Sequence, residues 1–337
     1  MDLRGGLFGK NRRRTGGEHL REHLAAYCGA PVAVHGELDF TEKVAVLVYH
    51  CPAPVPHFLY VTHGISRTSS SLPVAGTQTE LTVRVPATAD PGAPPTWPAE
   101  RLRALAALSP IEPGHYVNLH KPMCEGAQLT GFLFAADPEL PINDAPSGRV
   151  AFTTAVGVTA DELDAALSWD PAKFVDKLME SDPLGLTSPQ RQSMLLDESF
   201  HTHLTTQRAT EGSRISAVSS SYFDVDPSGR IDMTTHAAAH LLRAARWRFT
   251  YGRDFAVMSD DAWARFIPDP SAAHSTVDYH PAVPANRRRR IIAEPPHLTV
   301  TLTEKACHEI LAVLDTAPGT YRLTTAPLVF QVIDPTR

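Results

Sequence analysis

The sequence predicts an α+β protein built from two sandwich-type domains, each with a mixed sheet flanked by helices, and a cleft between them. Three observations lead to this prediction. The chain has 337 residues, which suits two domains better than one. Strand-like and helix-like apolar patterns alternate in both halves of the chain. The 29 prolines stand mostly between these patterns, where they imply long ordered connections.

The strand over residues 79–85 has the clearest alternation in the chain. Its odd-numbered apolar residues are expected to face the core, and Glu80, Thr82 and Arg84 to face solvent. Residues 44–49 form a continuous apolar run rich in β-branched residues, which is typical of a strand buried on both faces. Further strands are predicted over 58–62, 116–119, 129–135, 150–158, 215–225, 298–302 and 321–333, with a bent pair over 247–258.

Helix predictions depend on apolar spacing and on the residues that begin and end a helix. After the prolines at 94–98, Leu102, Leu105 and Leu108 recur at helical spacing and predict one buried face. Thr159 and Glu162 have the spacing of a capping box. Further helices are predicted over 18–30, with Leu20, Leu24 and Tyr27 on one face, after Asp170 and Ser188, over 235–245 and after Thr303.

These elements predict the domain organisation. Residues 1–17 are rich in Gly and Arg and are expected to be flexible. A first domain is predicted over 18–200 and a second over 201–337. Within the second, residues 267–296 are rich in Pro and contain four consecutive arginines, and they are expected to form a mobile loop.

Composition and charge narrow the classes of function. A net charge of -6 argues against broad nucleic-acid binding by the whole surface. No apolar run is long enough to cross a membrane, and the basic N-terminus is not followed by the apolar segment of a signal peptide. Cys28, Cys51, Cys124 and Cys307 are scattered in sequence, as in a reducing compartment. We therefore predict a cytoplasmic protein.

No motif for nucleophilic catalysis or phosphate binding occurs in the chain. Two groups of candidate metal ligands are noted: Glu198, His201 and His203, and His50, Cys51, His57 and His63. Neither has the spacing of a zinc site, so solvated or capping roles are favoured. The prediction is therefore no catalytic residue, no metal and no cofactor. The arginines at 287–290 indicate either a solvated loop or a site for phosphate or an acidic partner.

Several motifs, taken in order, resemble those of the Suppressor of fused family. In the first half they lie at 60–66, 93–100, 137–138, 148–152 and 157–163, with Thr187 and Arg191. Fainter matches to the family's carboxy-terminal domain lie at 211–216, 252–255 and 298–304. The resemblance implies a two-domain, non-enzymatic protein that binds a partner peptide as an added strand in the cleft. Animal members restrain Gli-type transcription factors in this way. The positions that match the family's cleft are His115, Tyr116 and Asp137.

Two departures from the family pattern change the expected partner. Animal members carry an acid where His115 stands, and an acidic pair where Asp137 follows Ala136. The composition, rich in Ala, Arg and Pro, suggests a bacterial-type member from a GC-rich genome. Bacterial relatives are thought to include immunity proteins, so neutralisation of a cognate polymorphic toxin is an alternative function. A metal-dependent enzyme using Glu198, His201 and His203 is a third hypothesis. The expected partner is a protein or peptide, including a toxin, with no nucleic acid or membrane, and the chain is a monomer or weak dimer.

Overall fold

The structure is a computed structural model that describes residues 15–36, 44–70, 72, 76–88, 90, 92–284 and 293–334. The described residues form two compact units. The first lies within Met1–Leu163 and Pro171–Leu196, and the second within Asp164–Asp170 and Asp197–Arg337. The boundary predicted at residue 200 stays a prediction. Residues 1–14 and the arginines at 287–290 lie outside the described residues, whereas 16 and 17 begin a helix.

The strands and helices confirm the α+β class. The strands of the first unit are β1 Ala33–His35, β2 Ala45–Cys51, β3 His57–His63, β4 Thr77–Pro86, β5 Tyr116–Asn118, β6 Leu129–Ala136, β7 Asn143–Ala145 and β8 Gly148–Thr159. The strands of the second are β9 Ala217–Ser219, β10 Phe223–Val225, β11 Arg230–Thr234, β12 Phe255–Met258, β13 Trp263–Pro268, β14 Thr276–His280, β15 His297–Leu302, β16 Gly319–Arg322 and β17 Val329–Ile333. The α-helices are α1 Gly16–Cys28, α2 Trp97–Ala106, α3 Ala160–Leu167, α4 Pro171–Ser181, α5 Glu198–Glu211, α6 Thr235–Trp247 and α7 Glu304–Val313.

One mixed sheet organises the first unit. Its strands follow the order β1-β2-β3-β4-β8-β6-β5, and β7 pairs with β8. Helix α2 covers one face, where Leu102 and Leu105 pack on Leu81 and Val83 of β4. Helix α1 supplies Leu20 and Leu24 to a separate apolar cluster that contains the oppositely directed residues of β2 and β3. Both faces of the central strands are therefore buried.

The second unit contains two sheets around a single apolar core. The strand orders are β10-β11-β17-β16 and β14-β15-β13-β12-β9. Phe266 of β13 and Phe330 of β17 bring the two sheets together, with ring centroids 6.4 Å apart. Helices α6 and α7 begin as predicted, because the side chains of Thr234 and Thr303 accept hydrogen bonds from backbone N–H groups in the first turn.

The helix predicted to start at Ser188 is wrong. Residues 188–193 are instead held against β8 and the start of α3 by Arg191, whose guanidinium donates to both oxygens of Glu162, each at 2.6 Å. It also donates to the Gly157 carbonyl at 2.8 Å. The next α-helix, α5, begins only at Glu198, where Asp197 accepts from the N–H of Phe200. A buried acid can thus fix an irregular segment that the local sequence would allow to be helical.

Other sequence predictions are wrong at the ends of elements. The bent strand pair over 247–258 is the end of α6, a 3₁₀ turn at Phe249–Tyr251 and the single strand β12. The segment 267–296, predicted to be a loop, contains the end of β13 and all of β14. Strand β14 forms because it pairs antiparallel with β15. Tyr27 and Leu108 are more than half exposed, since each lies at the end of its helix beyond the packed turns. Arg101 of α2 donates to the Met123 carbonyl.

The capping-box prediction at Thr159 is half right. The Thr159 N–H donates to Glu162 Oε2 at 2.9 Å, but the Thr159 hydroxyl donates to Asp161 instead of accepting from the helix. A complete capping box stands at Thr15 and Glu18, where it begins α1. None of the helices among the described residues combines the length and the apolarity needed to cross a bilayer.

Candidate peptide-binding edge

Strand β5 ends the strand order of the first sheet, and it pairs with β6 alone among the described strands. Leu119 N–H donates to the Thr130 carbonyl at 2.9 Å, and Phe134 N–H donates to the His115 carbonyl at 3.1 Å. Because hydrogen-bonded pairs alternate along an antiparallel ladder, the backbone N–H of Asn118 points away from β6. The outer edge of β5 therefore presents backbone groups with which an additional strand could form hydrogen bonds.

Local turns fix both ends of this edge. Before β5, Gly114 has φ +87°, which glycine adopts without strain, and its N–H donates to the Phe134 carbonyl at 2.7 Å. After β5, His120 has φ +55°, and its N–H donates to Asn118 Oδ1 at 2.8 Å. Val117 packs on the apolar cluster beneath α2. The edge is short and anchored from below, so its position is set before any partner arrives.

The predicted residues His115 and Tyr116 lie at the start of this edge. His115 is exposed, and its Nδ1 accepts from the N–H of Glu112 at 3.2 Å, so the ring is held over the preceding turn. Tyr116 is half-buried and lies opposite Leu133 in the register. Neighbouring side chains at an edge strand point alternately to its two faces, so these two residues flank the edge on opposite faces.

The third predicted residue, Asp137, has a different position. It follows β6 on the side of β8, and its N–H donates to the Phe152 carbonyl at 2.9 Å. Its carboxylate is fully buried and accepts hydrogen bonds from both terminal nitrogens of Arg84, at 2.7 and 2.8 Å. Burial alone would raise the pKa of Asp137, but the hydrogen bonds and charge of Arg84 lower it below the ordinary value.

The polar residues of β4 are the functional feature that sequence reasoning missed. Glu80, Thr82 and Arg84 were expected in solvent, and all three are fully buried. Thr82 donates to Asp137 Oδ2 at 2.6 Å, beside the Arg84 pair. The N–H groups of residues 139 and 140 donate to Asp137 Oδ1, so this ion pair fixes the loop after β6. Glu80, Thr82 and Arg84 are therefore shielded from water and help to position loops.

Glu80 fixes a second loop on the same face of β4. Its Oε1 accepts from Gly64 N–H at 3.1 Å and from both the N–H and the hydroxyl of Ser66, at 2.9 and 2.5 Å. Its Oε2 accepts from Thr62 at 2.6 Å. Burial raises the pKa of Glu80, and these hydrogen bonds oppose that rise. A signal existed in the sequence: the apolar run at 44–49 implies that both faces of the sheet are covered.

The second unit presents an edge strand of its own. Strand β9 ends the order of the five-stranded sheet and pairs in parallel with β12. Ala256 N–H donates to the Ser216 carbonyl and Ser220 N–H to the Met258 carbonyl. In this register Ser219 directs its N–H away from β12. Ser219 is exposed.

Neither group of candidate metal ligands is brought together as a whole, although Cys51 and His57 are cross-strand neighbours. Glu198 and His201 are exposed on α5, and the ring of His203 stands edge-on to Trp169. His57 and His63 lie at opposite ends of β3. Within the described ranges, no group of three His, Cys, Asp or Glu residues could hold a metal ion.

Comparison with known proteins shows which family the first unit resembles. Residues 41–192 match the family of the Suppressor of fused protein (SUFU). This segment therefore resembles a Suppressor of fused domain. Over 152 residues it is 28% identical to the human and to the mouse Suppressor of fused homolog. The match covers 42% of this chain and 31% of each relative, so the chain matches less than a third of their length.

Solved structures extend the likeness in fold. The crystal structure of Drosophila Suppressor of Fused has a TM-score of 0.68 and 17% identity, and the match covers 96% of this chain and 98% of that one. A chain of the Sufu–Fu complex has a TM-score of 0.51 and 23% identity, covering 57% of this chain and 98% of that chain. The Suppressor of fused fold is thus present over nearly the whole chain. The family segment contains β5, Asp137 and the Arg84 ion pair.

Proposed function

We propose that this chain is a non-enzymatic binding protein that holds a segment of a partner polypeptide as a strand added to β5. The observation that carries the proposal is the position of β5 at the end of the sheet with the Asn118 N–H directed outward. Strand addition supplies main-chain hydrogen bonds that any extended segment can make. Specificity then depends on the side chains beside the edge.

His115 and Tyr116 are proposed to select the partner, because they flank the edge on its two faces. Asp137 takes a positioning role in this proposal. Its carboxylate is fully occupied by Arg84, Thr82 and two backbone N–H groups, so it fixes the loop beside the edge. With a histidine and no acid at position 115, the edge suits a partner segment different from the Gli peptide.

The proposal also includes clamping, in which the partner segment engages an edge strand of each unit. Among the edge strands of the described residues, β5 in the first unit directs the Asn118 N–H outward and β9 in the second directs the Ser219 N–H outward. A partner segment that engages both edges would be held from two sides, as the predicted cleft requires. A protein of similar fold has been solved in a Sufu–Fu complex, which supports the binding of a protein partner. Neutralisation of a toxin remains a prediction about the identity of this partner.

The proposal is tested by removing one outward N–H group. The partner is captured from the source cells with the wild-type chain, and its affinity is then measured for Asn118→Pro. We expect a loss of about tenfold or more, because proline cannot donate to an added strand. Proline is tolerated at an edge position whose N–H does not serve the sheet, so the variant should fold.

Asn118→Ala is the matched control, since it removes the bond to His120 but keeps the N–H. It should retain affinity within about threefold. Ser219→Pro and Ser219→Ala form the same pair on β9. A loss at both prolines supports clamping, a loss at Asn118→Pro alone supports addition to β5 only, and folded prolines with unchanged affinity contradict strand addition.

A further inference from the structure

Cys28 and Cys51 are far apart in sequence, and the fold brings them together. Cys28 is the last residue of α1 and Cys51 the last of β2. Both line one cavity of about 500 Å³, together with Tyr27, His50 and Glu139. Both are free and half-buried, and both pack against the same apolar cluster. Cys28 and Cys51, although scattered in sequence, therefore line the same cavity.

The surroundings of the pair distinguish the two sulfur atoms. The hydrogen bond from Cys28 lowers the pKa of the Cys51 thiol, against the effect of burial. His57, the cross-strand neighbour of Cys51, and the guanidinium of Arg84 lower it further. The same hydrogen bond raises the pKa of Cys28, and burial adds to that rise. These effects favour Cys51 as the thiolate and Cys28 as the thiol of the pair.

We propose that Cys51 is a peroxide-reactive thiolate and that Cys28 is its resolving cysteine. One cavity gives a small oxidant access to both cysteines, and both pack on the same apolar cluster between α1 and β2. A low-pKa thiolate beside a resolving cysteine is the arrangement found in redox-sensing sites.

The reaction of the pair with hydrogen peroxide has two steps. The Cys51 thiolate attacks one oxygen of hydrogen peroxide, the O–O bond breaks, and a sulfenic acid and hydroxide form. Cys28 then attacks the Cys51 sulfur, the S–O bond breaks, and water leaves with the Cys28 proton. The thiolate and the thiol are thus oxidised to one disulfide, while the peroxide is reduced to one water and one hydroxide, which takes a proton from solvent to give a second water. The product links the end of α1 to the end of β2, so it fixes α1 to the sheet.

The reactivity of the pair is tested by alkylation of the full-length protein with iodoacetamide over a range of pH, followed by peptide mass spectrometry. Cys124 and Cys307 are internal controls, because burial raises the pKa of each. As the pH rises, the alkylation rate of Cys51 should reach a plateau before neutral pH. The alkylation rates of Cys124 and Cys307 should still rise about tenfold per pH unit. Near pH 6, Cys51 should react about tenfold faster than Cys124. A Cys51 rate that rises in parallel with that of Cys124 would overturn the proposal.

Peroxide treatment tests the second cysteine. The wild-type chain should lose two hydrogens and yield one peptide pair linked through Cys28 and Cys51. In Cys28→Ser, dimedone should trap a sulfenic acid at Cys51, and Cys51→Ser should leave Cys28 reduced. Oxidation of Cys124 or Cys307 as fast as Cys51 would contradict the assignment, and this comparison needs only the wild-type protein.

Discussion

Replacing Arg84 with methionine is expected to lower the free energy of unfolding by about 3–5 kcal/mol. The substitution leaves the Asp137 carboxylate buried without its cation, since the side chains of both residues are fully buried. Thr82 and two backbone N–H groups would remain as its partners, and they do not carry a compensating charge. Denaturant unfolding of the purified chain measures the loss.

The double variant Arg84→Met with Asp137→Asn is the control. Removing the charge on both sides should recover a large part of the loss, because no ion then stays uncompensated. A single Arg84→Met variant within about 1 kcal/mol of the wild type would show that the pair does not hold the loop after β6.

The same pair gives a dependence on pH with a defined sign. The pKa of Asp137 is lowered from its ordinary value of 3.8 in the folded chain. Its contribution is therefore fully present above about pH 4, and it is lost as the pH falls through the lower folded value. Asp137→Asn should lack this acid-dependent part of the unfolding free energy, as measured by unfolding at a series of pH values.

Replacing Glu80 with alanine is expected to cost about 3 kcal/mol or more. The change removes the acceptor of four hydrogen bonds, and it leaves the N–H groups of Gly64 and Ser66 and two hydroxyls buried without it. Thermal unfolding of Glu80→Ala beside Glu80→Gln measures the effect. Equal stability of the alanine variant and the wild type would contradict the account of β4.

Glu80→Gln keeps one oxygen for Gly64 and Ser66, so it should cost much less than alanine. It also removes a titrating group whose folded pKa is raised above 4.5. For such an acid the stabilising contribution is present below about pH 4.5 and is lost as the pH rises through the folded value. Glu80→Gln should therefore gain stability relative to the wild type on going from acid to neutral pH.

The sequence predicted the parts of the fold that depend on local patterns. The apolar run of β2, the spacing of Leu102 and Leu105, and the capping threonine at 303 each have one structural interpretation. The face of β4 was misjudged because alternation shows which residues share a face, but not what covers it. Asp137 lies 53 residues from Arg84 in sequence, so their pairing is visible only in the fold.

The candidate site shows the same limit. The resemblance to a family brought His115, Tyr116 and Asp137 to attention, but the backbone direction at Asn118 depends on the register with β6. The Cys28 and Cys51 pair depends on where α1 docks, which is a tertiary property. Positions that depend on pairing between distant segments are therefore the ones that local patterns could not provide.

The central claim is strand addition at β5, and amide hydrogen exchange at Asn118 tests it most directly. The measurement compares the free chain with the chain saturated by its captured partner. We expect exchange of the Asn118 N–H to slow by about tenfold or more, because it becomes a donor to the added strand. An unchanged rate at Asn118 under saturating partner would contradict the claim.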